Sequence, residues 1–248
     1  MQLLIDFGNT RIKWGLLENG NLQYGGDARY QSQAIEQLFD NWWVDLPTPH
    51  AVVCASVTTP QFDQQLDNWC KQRWQKQVSR LQSVARQLGV TNAYAEPQTL
   101  GSDRWAALIA AHHLSSHHVG VIDCGTAITI DLVRADGTHQ GGYIVPGLWV
   151  MQQCLLERAG GISSEPSLAD RLDPGNSSAN CMSRGALRSV TALIDRLMND
   201  LPQQYDQRLD WILTGGDAKL VQAHLHQSCR IVPDLVLQGL ARVAQGNE

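Results

Sequence analysis

The chain opens with the stretch LLIDFGNT at residues 3–10, and a similar stretch, GVIDCGTA, follows at residues 120–127. In each stretch, apolar residues typical of a β-strand lead to an aspartate, which is Asp6 in the first and Asp123 in the second. A glycine stands two positions after each aspartate and lets the backbone approach a ligand closely. The repeated pattern therefore predicts two related units in which a strand ends at a tight turn.

The residues that follow the two aspartates also correspond. A strand pattern at residues 11–17 leads to Asn19-Gly20, and another at residues 128–133 leads to Asp136-Gly137. Both turns lie 13 positions after their aspartate. Asn-Gly and Asp-Gly favour two-residue hairpin turns, because both turn residues must adopt positive φ. We therefore expect each half of the chain to open with the same β-hairpin, followed by a third strand.

Helical patterns fill the intervals between the strands. Apolar spacing predicts helices at residues 32–43, 60–75, 104–114, 148–158, 183–198, 219–225 and 235–244, and short buried strands at 51–56 and 211–214. Strand meanders that alternate with helices are typical of the α/β class. The chain is therefore expected to form two similar α/β domains, residues 1–116 and 117–248.

The composition is that of a folded protein, with 43% hydrophobic and 17% charged residues. The formal net charge is −5 and no cluster of Lys and Arg stands out, so nucleic-acid binding is not expected. The first apolar run ends at Asp6, so neither a membrane span nor a signal-peptide core is expected there. The six cysteines lack CxxC spacing, which favours reduced thiols and a cytoplasmic location.

The first motif, residues 6–13, has the features of a loop that binds nucleotide phosphates. Asp6 at the strand end could hold Mg²⁺ through water, since hard cations prefer oxygen ligands, and Lys13 could steady a phosphate. The alternative is an ordinary tight turn with a capping aspartate. The residues of this loop are Asp6, Phe7, Gly8, Asn9, Thr10, Arg11, Ile12 and Lys13.

The second motif, residues 123–129, is expected to form an opposing phosphate loop. Thr126 would contact the nucleotide phosphates, and Asp123 could bind a cation. The alternative is a buried aspartate at a strand end. Two further glycine motifs, GGYIVPG at residues 141–147 and LTGGDA at residues 213–218, suit contacts with substrate and nucleoside, or are simply tight turns that lead into helices.

The third motif is Gly101-Ser102-Asp103-Arg104, directly before a predicted helix. Ser102 or Asp103 could be a plain N-cap. The functional interpretation uses the same geometry, because a helix N-terminus presents unpaired N–H groups to an anion. Asp103 could then act as a general base for a substrate hydroxyl, and Arg104 could bind a carboxylate or a phosphate.

Together and in this order, the five motifs resemble those of the type III pantothenate kinases, from Asp6 to about Leu240. The matching patterns are D-x-G-N-T with Lys13 and Gly15, Y-x(6)-G-x-D-R from Tyr94, D-x-G-T-A-x-T, G-G-x-I-x-P-G and G-G-D-A. These kinases belong to the acetate kinase/sugar kinase/Hsp70/actin superfamily. The resemblance implies an α/β fold of duplicated ribonuclease H-like (actin-like ATPase) domains, with mixed β-sheets flanked by helices.

The resemblance also implies a role for each matching residue. The loop from Asp6 to Lys13 would bind ATP and Mg²⁺, Thr126 would contact ATP, and Asp123 would bind K⁺ or NH₄⁺. Asp103 would be the proton acceptor, and the pantothenate contacts would be Tyr94, Gly101, Ser102, Asp103, Arg104 and Ser178. Ser178 is the closest match to a threonine of the family, since Asn176-Ser177-Ser178 precedes a helix. Members of the family are homodimers whose substrate pocket lies near the subunit interface.

The implied activity is ATP-dependent phosphorylation of pantothenate to 4′-phosphopantothenate, the first step of coenzyme A biosynthesis. Two alternatives remain open at the level of sequence. The chain could be a transcription accessory factor of the same fold without turnover, although intact Asp6, Asp103 and Asp123 argue against a decayed site. It could instead be a kinase for another small hydroxylated acceptor, since a fold alone does not determine the substrate.

Overall fold

The computed structural model describes residues 1–30, 35–159, 165–205 and 208–246. The elements of the first half, in chain order, are β1 (Gln2–Phe7), β2 (Arg11–Glu18), β3 (Asn21–Arg29), α1 (Ile35–Trp43), β4 (Ala51–Ser56), α2 (Pro60–Trp74), β5 (Val78–Arg80), β6 (Arg86–Gln87), β7 (Val90–Thr91) and α3 (Ser102–Leu114). Those of the second half are β8 (His118–Cys124), β9 (Ala127–Val133), β10 (His139–Pro146), α4 (Leu148–Arg158), α5 (Ser178–Tyr205), β11 (Leu209–Thr214), α6 (Ala218–Gln222), β12 (Arg230–Ile231) and α7 (Leu235–Gly246).

The two halves carry the same sheet topology. The strand order is β3-β2-β1-β4-β5 in one five-stranded sheet and β10-β9-β8-β11-β12 in the other. In the first sheet, β1 pairs antiparallel with β2 and parallel with β4. In the second sheet, β8 pairs antiparallel with β9 and parallel with β11 in the same way. The prediction of a duplicated α/β fold with mixed sheets is thus confirmed.

The chain divides into two compact units. One contains Met1–Leu114, Asp136–His139 and Asp234–Glu248, and the other contains Ser115–Ala135 and Gln140–Pro233. The last helix, α7, therefore belongs to the first unit, where it packs on α3, β1 and β4. The domain limits 1–116 and 117–248 stay a prediction, and the compact units differ from them at α7 and at Asp136–His139.

The two predicted hairpin turns differ from each other. Asn19 and Gly20 both adopt positive φ, 50° and 79°, as expected for the first hairpin. The expectation was wrong for the second, where within the described turn only Gly137 has positive φ, 85°, and five residues separate β9 from β10. The reason is local, because the Asp136 carboxylate accepts the N–H of Thr138 at 2.9 Å and builds a longer Asx-type turn.

The observed helices α3 and α5 are longer than the helices that the sequence pattern predicts. α3 begins at Ser102 rather than at residue 104, because the Trp105 N–H donates to the Gly101 carbonyl at 3.0 Å. α5 is longer than the predicted 183–198, since its buried apolar stripe continues to Leu201. The first residues of the helix predicted at 32–43 lie outside the described residues. No helix within the described ranges is long and apolar enough to cross a membrane.

Candidate active site

The first loop lies at the carboxyl end of β1 and connects it to β2. The Gly8 N–H donates a 3.0 Å hydrogen bond to the Arg11 carbonyl, which closes a tight turn whose two middle residues are exposed. Asp6 pairs with Lys13 across the antiparallel β1–β2 ladder, so their side chains leave the same face of the sheet. A carboxylate, an ammonium group and an exposed backbone turn therefore lie in one hairpin.

Two residues of this loop belong to the hydrophobic core instead of the turn. Phe7 and Ile12 are fully buried, and the Phe7 ring meets the Tyr30 ring edge-on at 5.3 Å. Any contact of Phe7 or Ile12 with a nucleotide must therefore come from the backbone. Their side chains hold the hairpin on the core that includes Phe39.

Tyr30 supports the same turn, although its sequence context does not single it out. Its hydroxyl donates a 2.6 Å hydrogen bond to the Gly8 carbonyl and lies 2.9 Å from the Thr58 hydroxyl. Burial raises the pKa of Tyr30 above its usual value, so the phenol remains a donor throughout the neutral range. Tyr30 thereby holds the carbonyl of Gly8 in one orientation.

Arg11 is held on the outer part of the hairpin. Its guanidinium forms an ion pair with Asp27 of β3, and the Tyr24 hydroxyl donates to the same carboxylate at 2.6 Å. Burial raises the pKa of Tyr24, which keeps that hydroxyl protonated. Arg11 is therefore positioned by a carboxylate that is itself hydrogen-bonded.

The third motif lies at the same edge of the first sheet as the Asp6 loop. The Ser102 hydroxyl donates to the Ser56 carbonyl at 3.1 Å, which joins the start of α3 to the end of β4. The Val57 N–H donates to the Phe7 carbonyl at 3.1 Å, which joins the same segment to the end of β1. The structure thus brings the first and third motifs together at the carboxyl ends of β1 and β4, where open α/β sheets commonly bind ligands.

Asp103 lies in the first turn of α3 and is half-buried. Its Oδ1 accepts the Arg104 N–H at 2.7 Å. A Cβ at Gly101 would lie 2.6 Å from that oxygen, so a glycine is needed there for the carboxylate to adopt this position. A carboxylate in the first turn is also stabilised by the helix dipole.

Arg104 and Tyr94 are neighbours, as their common motif suggests. An Arg104 guanidinium N–H donates to the Tyr94 hydroxyl at 3.0 Å, and the guanidinium carbon lies 5.7 Å from the centroid of the Tyr94 ring. The tyrosine ring also has His139 as a neighbour, whose ring lies nearly parallel to it with 6.1 Å between centroids. The Tyr94 N–H is held by Asn92 Oδ1 at 3.0 Å.

In the second unit, the Asp123 loop is also closed by a backbone hydrogen bond from its glycine, but it is one residue shorter than the first loop. The Gly125 N–H donates to the Ala127 carbonyl at 3.1 Å, and the Thr126 carbonyl accepts the Gly147 N–H at 2.9 Å. Gly147 precedes α4, and a Cβ there would lie 2.3 Å from the Gly125 carbonyl oxygen. The Asp123 loop and the GGYIVPG motif are therefore in contact.

The LTGGDA motif joins the same site in the second unit. The Asp217 N–H donates to the Cys124 carbonyl at 3.0 Å. Gly215 adopts a φ of 92°, and a Cβ there would lie 2.4 Å from an Asp123 carboxylate oxygen. Burial, with the nearby Asp123 charge, raises the pKa of the Cys124 thiol well above its usual value, so Cys124 remains a neutral thiol.

The carboxylates of Asp6 and Asp123, one in each loop, suit cations that bind together with a substrate. Mg²⁺ that arrives with a nucleotide needs only one or two protein carboxylates, because phosphate oxygens and waters complete its coordination. Half-buried Asp6, at a strand end beside an exposed turn, fits that requirement, and Asp123 offers a similar oxygen donor. Within the described ranges, no group of three or more His, Cys, Asp or Glu residues is arranged to hold a metal ion by itself.

A family model for type III pantothenate kinases matches residues 2–200 of this chain. The chain belongs to the type III pantothenate kinase family. Relatives named type III pantothenate kinase include one from Nitrosococcus oceani, 35% identical over 99% of this chain and 94% of its own length. Another, from Pseudomonas aeruginosa, is 37% identical over 97% of this chain and 98% of its own length.

Solved structures with little sequence similarity share the fold. A conserved protein from Campylobacter jejuni, assigned provisionally to a Baf family of transcriptional activators, has a TM-score of 0.61 and 20% identity, with 99% of this chain and 98% of that one covered. A ROK family glucokinase from Streptomyces griseus, in complex with glucose and AMPPNP, has a TM-score of 0.52 and 13% identity, with 99% of both chains covered. At these identities the likeness concerns the fold alone.

Ser178 is a predicted site residue whose surroundings do not test its proposed role. It is exposed at the first residue of α5, where the neighbouring Ser177 hydroxyl accepts the Asn180 N–H at 3.2 Å. Its contact with pantothenate stays a prediction. The residues that sequence reasoning missed are Tyr30, Asp27 and His139, which touch predicted site residues from distant parts of the chain.

Proposed function

We propose that this type III pantothenate kinase transfers the γ-phosphoryl group of ATP to the primary hydroxyl of pantothenate. The observation that carries the proposal is the junction of the α3 N-terminus with the ends of β1 and β4, which puts Asp103 and the Asp6 loop at one edge of a sheet. The products are ADP and 4′-phosphopantothenate, and the reaction begins coenzyme A biosynthesis.

Asp103 is the proposed proton acceptor. The pantothenate hydroxyl oxygen attacks the γ-phosphorus, the bond to the β,γ-bridging oxygen breaks, and ADP leaves with that electron pair. Asp103 orients the hydroxyl and takes its proton as the new bond forms. Its place in the first turn of α3, close against Gly101, supports this role because the carboxylate is held while still half-exposed.

The hairpin from Asp6 to Lys13 is the proposed phosphate-binding element. Its exposed turn at Asn9 and Thr10 offers backbone N–H groups, and Lys13 adds a positive charge on the face that carries Asp6. Mg²⁺ bound with ATP would offset the charge of the phosphates. Gly8 and Tyr30 keep the turn closed, so the donors are arranged before the nucleotide binds.

The Asp123 loop is the proposed second nucleotide element. Exposed Thr126 would contact ATP through its hydroxyl, and Asp123 would hold K⁺ or NH₄⁺. The close contacts with Gly147 and Gly215 support this role, because they leave no room for side chains beside the loop. A rigid, narrow backbone environment favours selective binding of a cation and a phosphate chain.

The acceptor contacts are proposed for Tyr94, Gly101, Ser102, Arg104 and Ser178. Arg104 supplies a planar cationic fork that is hydrogen-bonded to Tyr94. Ser102 and Gly101 contribute the backbone of the α3 N-terminus, which favours an anionic group.

A homodimer is also proposed, with β10 and α4 at its interface. β10 is an edge strand of the second sheet, and four large apolar side chains on these elements are exposed by 38–59%: Tyr143, Ile144, Trp149 and Leu155. These four side chains lie on two consecutive elements, and clustered exposed apolar surface commonly marks protein–protein interfaces. Light scattering should report a dimer for the wild type and a larger monomer fraction for Ile144→Asp. A monomeric wild type would rule the dimer out.

A cytoplasmic location of the protein stays a prediction.

The kinase assignment is tested by ADP release from purified protein with Mg-ATP, with and without pantothenate. Pantothenate-dependent release supports it. Nucleotide binding without turnover would favour the regulatory alternative, which is not favoured by the family match. Release with a sugar but not with pantothenate would favour another acceptor.

A further inference from the structure

His139 lies in a short segment that is attached to the strand before Tyr94. The Thr91 N–H donates to the Gly137 carbonyl at 2.9 Å, so residues 136–139 run alongside β7. The approach is close, because a Cβ at Gly137 would lie 2.0 Å from the Gly89 carbonyl oxygen. His139 itself is only 2% exposed, so its ring has a defined position.

The imidazole of His139 makes two contacts with the segment that carries Tyr94. The Ala93 N–H donates to Nδ1 at 3.3 Å, which requires a lone pair on Nδ1 and places the ring proton on Nε2. The ring also lies at 17° to the Tyr94 ring, with 6.1 Å between centroids, within the range of aromatic pairs. His139 therefore holds both the backbone before Tyr94 and one face of its ring.

Tyr94 connects this histidine to the proposed acceptor site. Its hydroxyl accepts a 3.0 Å hydrogen bond from the Arg104 guanidinium, which lies 5.7 Å from the ring centroid. A guanidinium recognises its ligand through a rigid fork of donors, so a small rotation of the fork weakens binding. A shift of the Tyr94 ring would rotate that fork.

We propose that His139 is a positioning residue for the acceptor. It holds Tyr94, and through Tyr94 it holds Arg104 in the orientation that binds pantothenate. The proposal rests on the proposed function, which assigns acceptor contacts to Tyr94 and Arg104. Its consequence is selective, because loss of the imidazole should weaken acceptor binding while ATP binding is retained.

The test compares His139→Ala with a matched control, His118→Ala. His118 is also buried, at 8% exposure, and its Nδ1 accepts the Ala135 N–H at 3.0 Å, but it lies in the other unit. For His139→Ala we expect KM for pantothenate to rise about tenfold and KM for ATP to change less than about twofold. His118→Ala should lower the thermal unfolding midpoint to a similar extent with an unchanged KM for pantothenate.

Two further variants distinguish a positioning role of His139 from a general loss of stability: a conservative substitution of His139 and a double substitution with Tyr94. His139→Asn retains an acceptor for the Ala93 N–H and should recover part of the pantothenate KM; it also keeps the test valid where the alanine variant folds poorly. Tyr94→Phe and His139→Ala should be non-additive when combined, since both act on Arg104. Equal increases in both KM values, or additive effects of the two substitutions, would overturn the proposal.

A spectroscopic signal distinguishes failure of this proposal from failure of the proposed function. The Arg104 side-chain N–H resonance, assigned by its loss in Arg104→Lys, should shift in His139→Ala and stay in place in His118→Ala. A wild-type protein without pantothenate turnover would overturn the proposed function alone. An Arg104 resonance that is unchanged in His139→Ala would overturn the positioning role whatever the acceptor.

Discussion

The hydroxyl of Ser102 donates a 3.1 Å hydrogen bond to the backbone carbonyl of Ser56, 46 positions earlier in the chain. The bond joins the first turn of α3 to the end of β4. The next residue after Ser56 donates its N–H to the Phe7 carbonyl at the end of β1. Two hydrogen bonds therefore connect the helix that carries Asp103 to the hairpin that carries Asp6.

Removal of the Ser102 hydroxyl should affect both stability and turnover. Ser102→Ala leaves the Ser56 carbonyl without this donor in a largely buried place, which costs about 1 kcal/mol of unfolding free energy. We expect kcat to fall about five- to tenfold, because a small displacement of a catalytic group slows reaction strongly. Urea unfolding and steady-state kinetics measure the two effects.

Ser189→Ala is the control for Ser102→Ala, since it removes a hydroxyl that donates to the Gly185 carbonyl at 2.8 Å on the exposed side of α5. It should leave kcat unchanged. A wild-type kcat in Ser102→Ala would mean that the bond to Ser56 stabilises the fold without positioning Asp103.

Asp103→Asn should fold normally and lose most of its turnover. The amide cannot accept a proton from the pantothenate hydroxyl, and loss of a general base typically costs ~10²–10⁴ in rate. KM for ATP should change little, because the substitution is isosteric. Steady-state kinetics of Asp103→Asn and of Asp45→Asn, an exposed aspartate in the same unit, provide the comparison. Near wild-type turnover in Asp103→Asn would remove Asp103 from the mechanism.

The cation assignment predicts a dependence on the salt. Turnover should require K⁺ or NH₄⁺ and be lost when Na⁺ replaces them. In Asp123→Asn the K⁺ concentration for half-maximal activity should rise about tenfold or more, because the attraction between two unit charges a few Å apart exceeds ~1.4 kcal/mol at an effective dielectric constant of about 20. Asp170→Asn, an exposed change in the second unit, is the control. Full wild-type activity in Na⁺ alone would contradict the cation site.

Buried thiols should make the fold sensitive to alkaline pH. Burial raises the pKa of the Cys54 thiol well above its usual value, so the folded state keeps a proton that the unfolded state releases above pH ~8.5. The contribution of Cys54 to stability is therefore complete below pH ~8.5 and is lost as the pH rises, by up to ~1.4 kcal/mol per pH unit.

Urea unfolding between pH 7 and 10, followed by tryptophan fluorescence, measures this loss. Cys54→Ala should show a shallower decline with pH than the wild type, whatever its stability at pH 7. Cys154→Ala removes an exposed thiol and should keep the wild-type slope. Parallel declines in wild type and Cys54→Ala would show that other groups cause the alkaline loss.

Local patterns predicted much of this architecture. The repeat around Asp6 and Asp123 predicted two similar hairpins, and both sheets have the same strand order. The helix predicted at residues 148–158 coincides with α4, because its apolar spacing and the preceding glycine define both ends locally. Edge strands such as Val78–Arg80 and Arg230–Ile231 were missed, since segments of two or three residues carry no periodic signal.

The sequence by itself determined the duplicated α/β fold, the two glycine loops that follow strand-end aspartates, and the carboxylate and guanidinium of Asp103 and Arg104. These features depend on short-range patterns, because strand period, turn chemistry and the spacing within each motif all involve residues within about fifteen positions of one another. Only the tertiary structure decided that Phe7 lies in the core and that His139 lies against Tyr94. Contacts between segments distant in sequence depend on packing that no local pattern encodes, and it is these contacts that orient the proposed site.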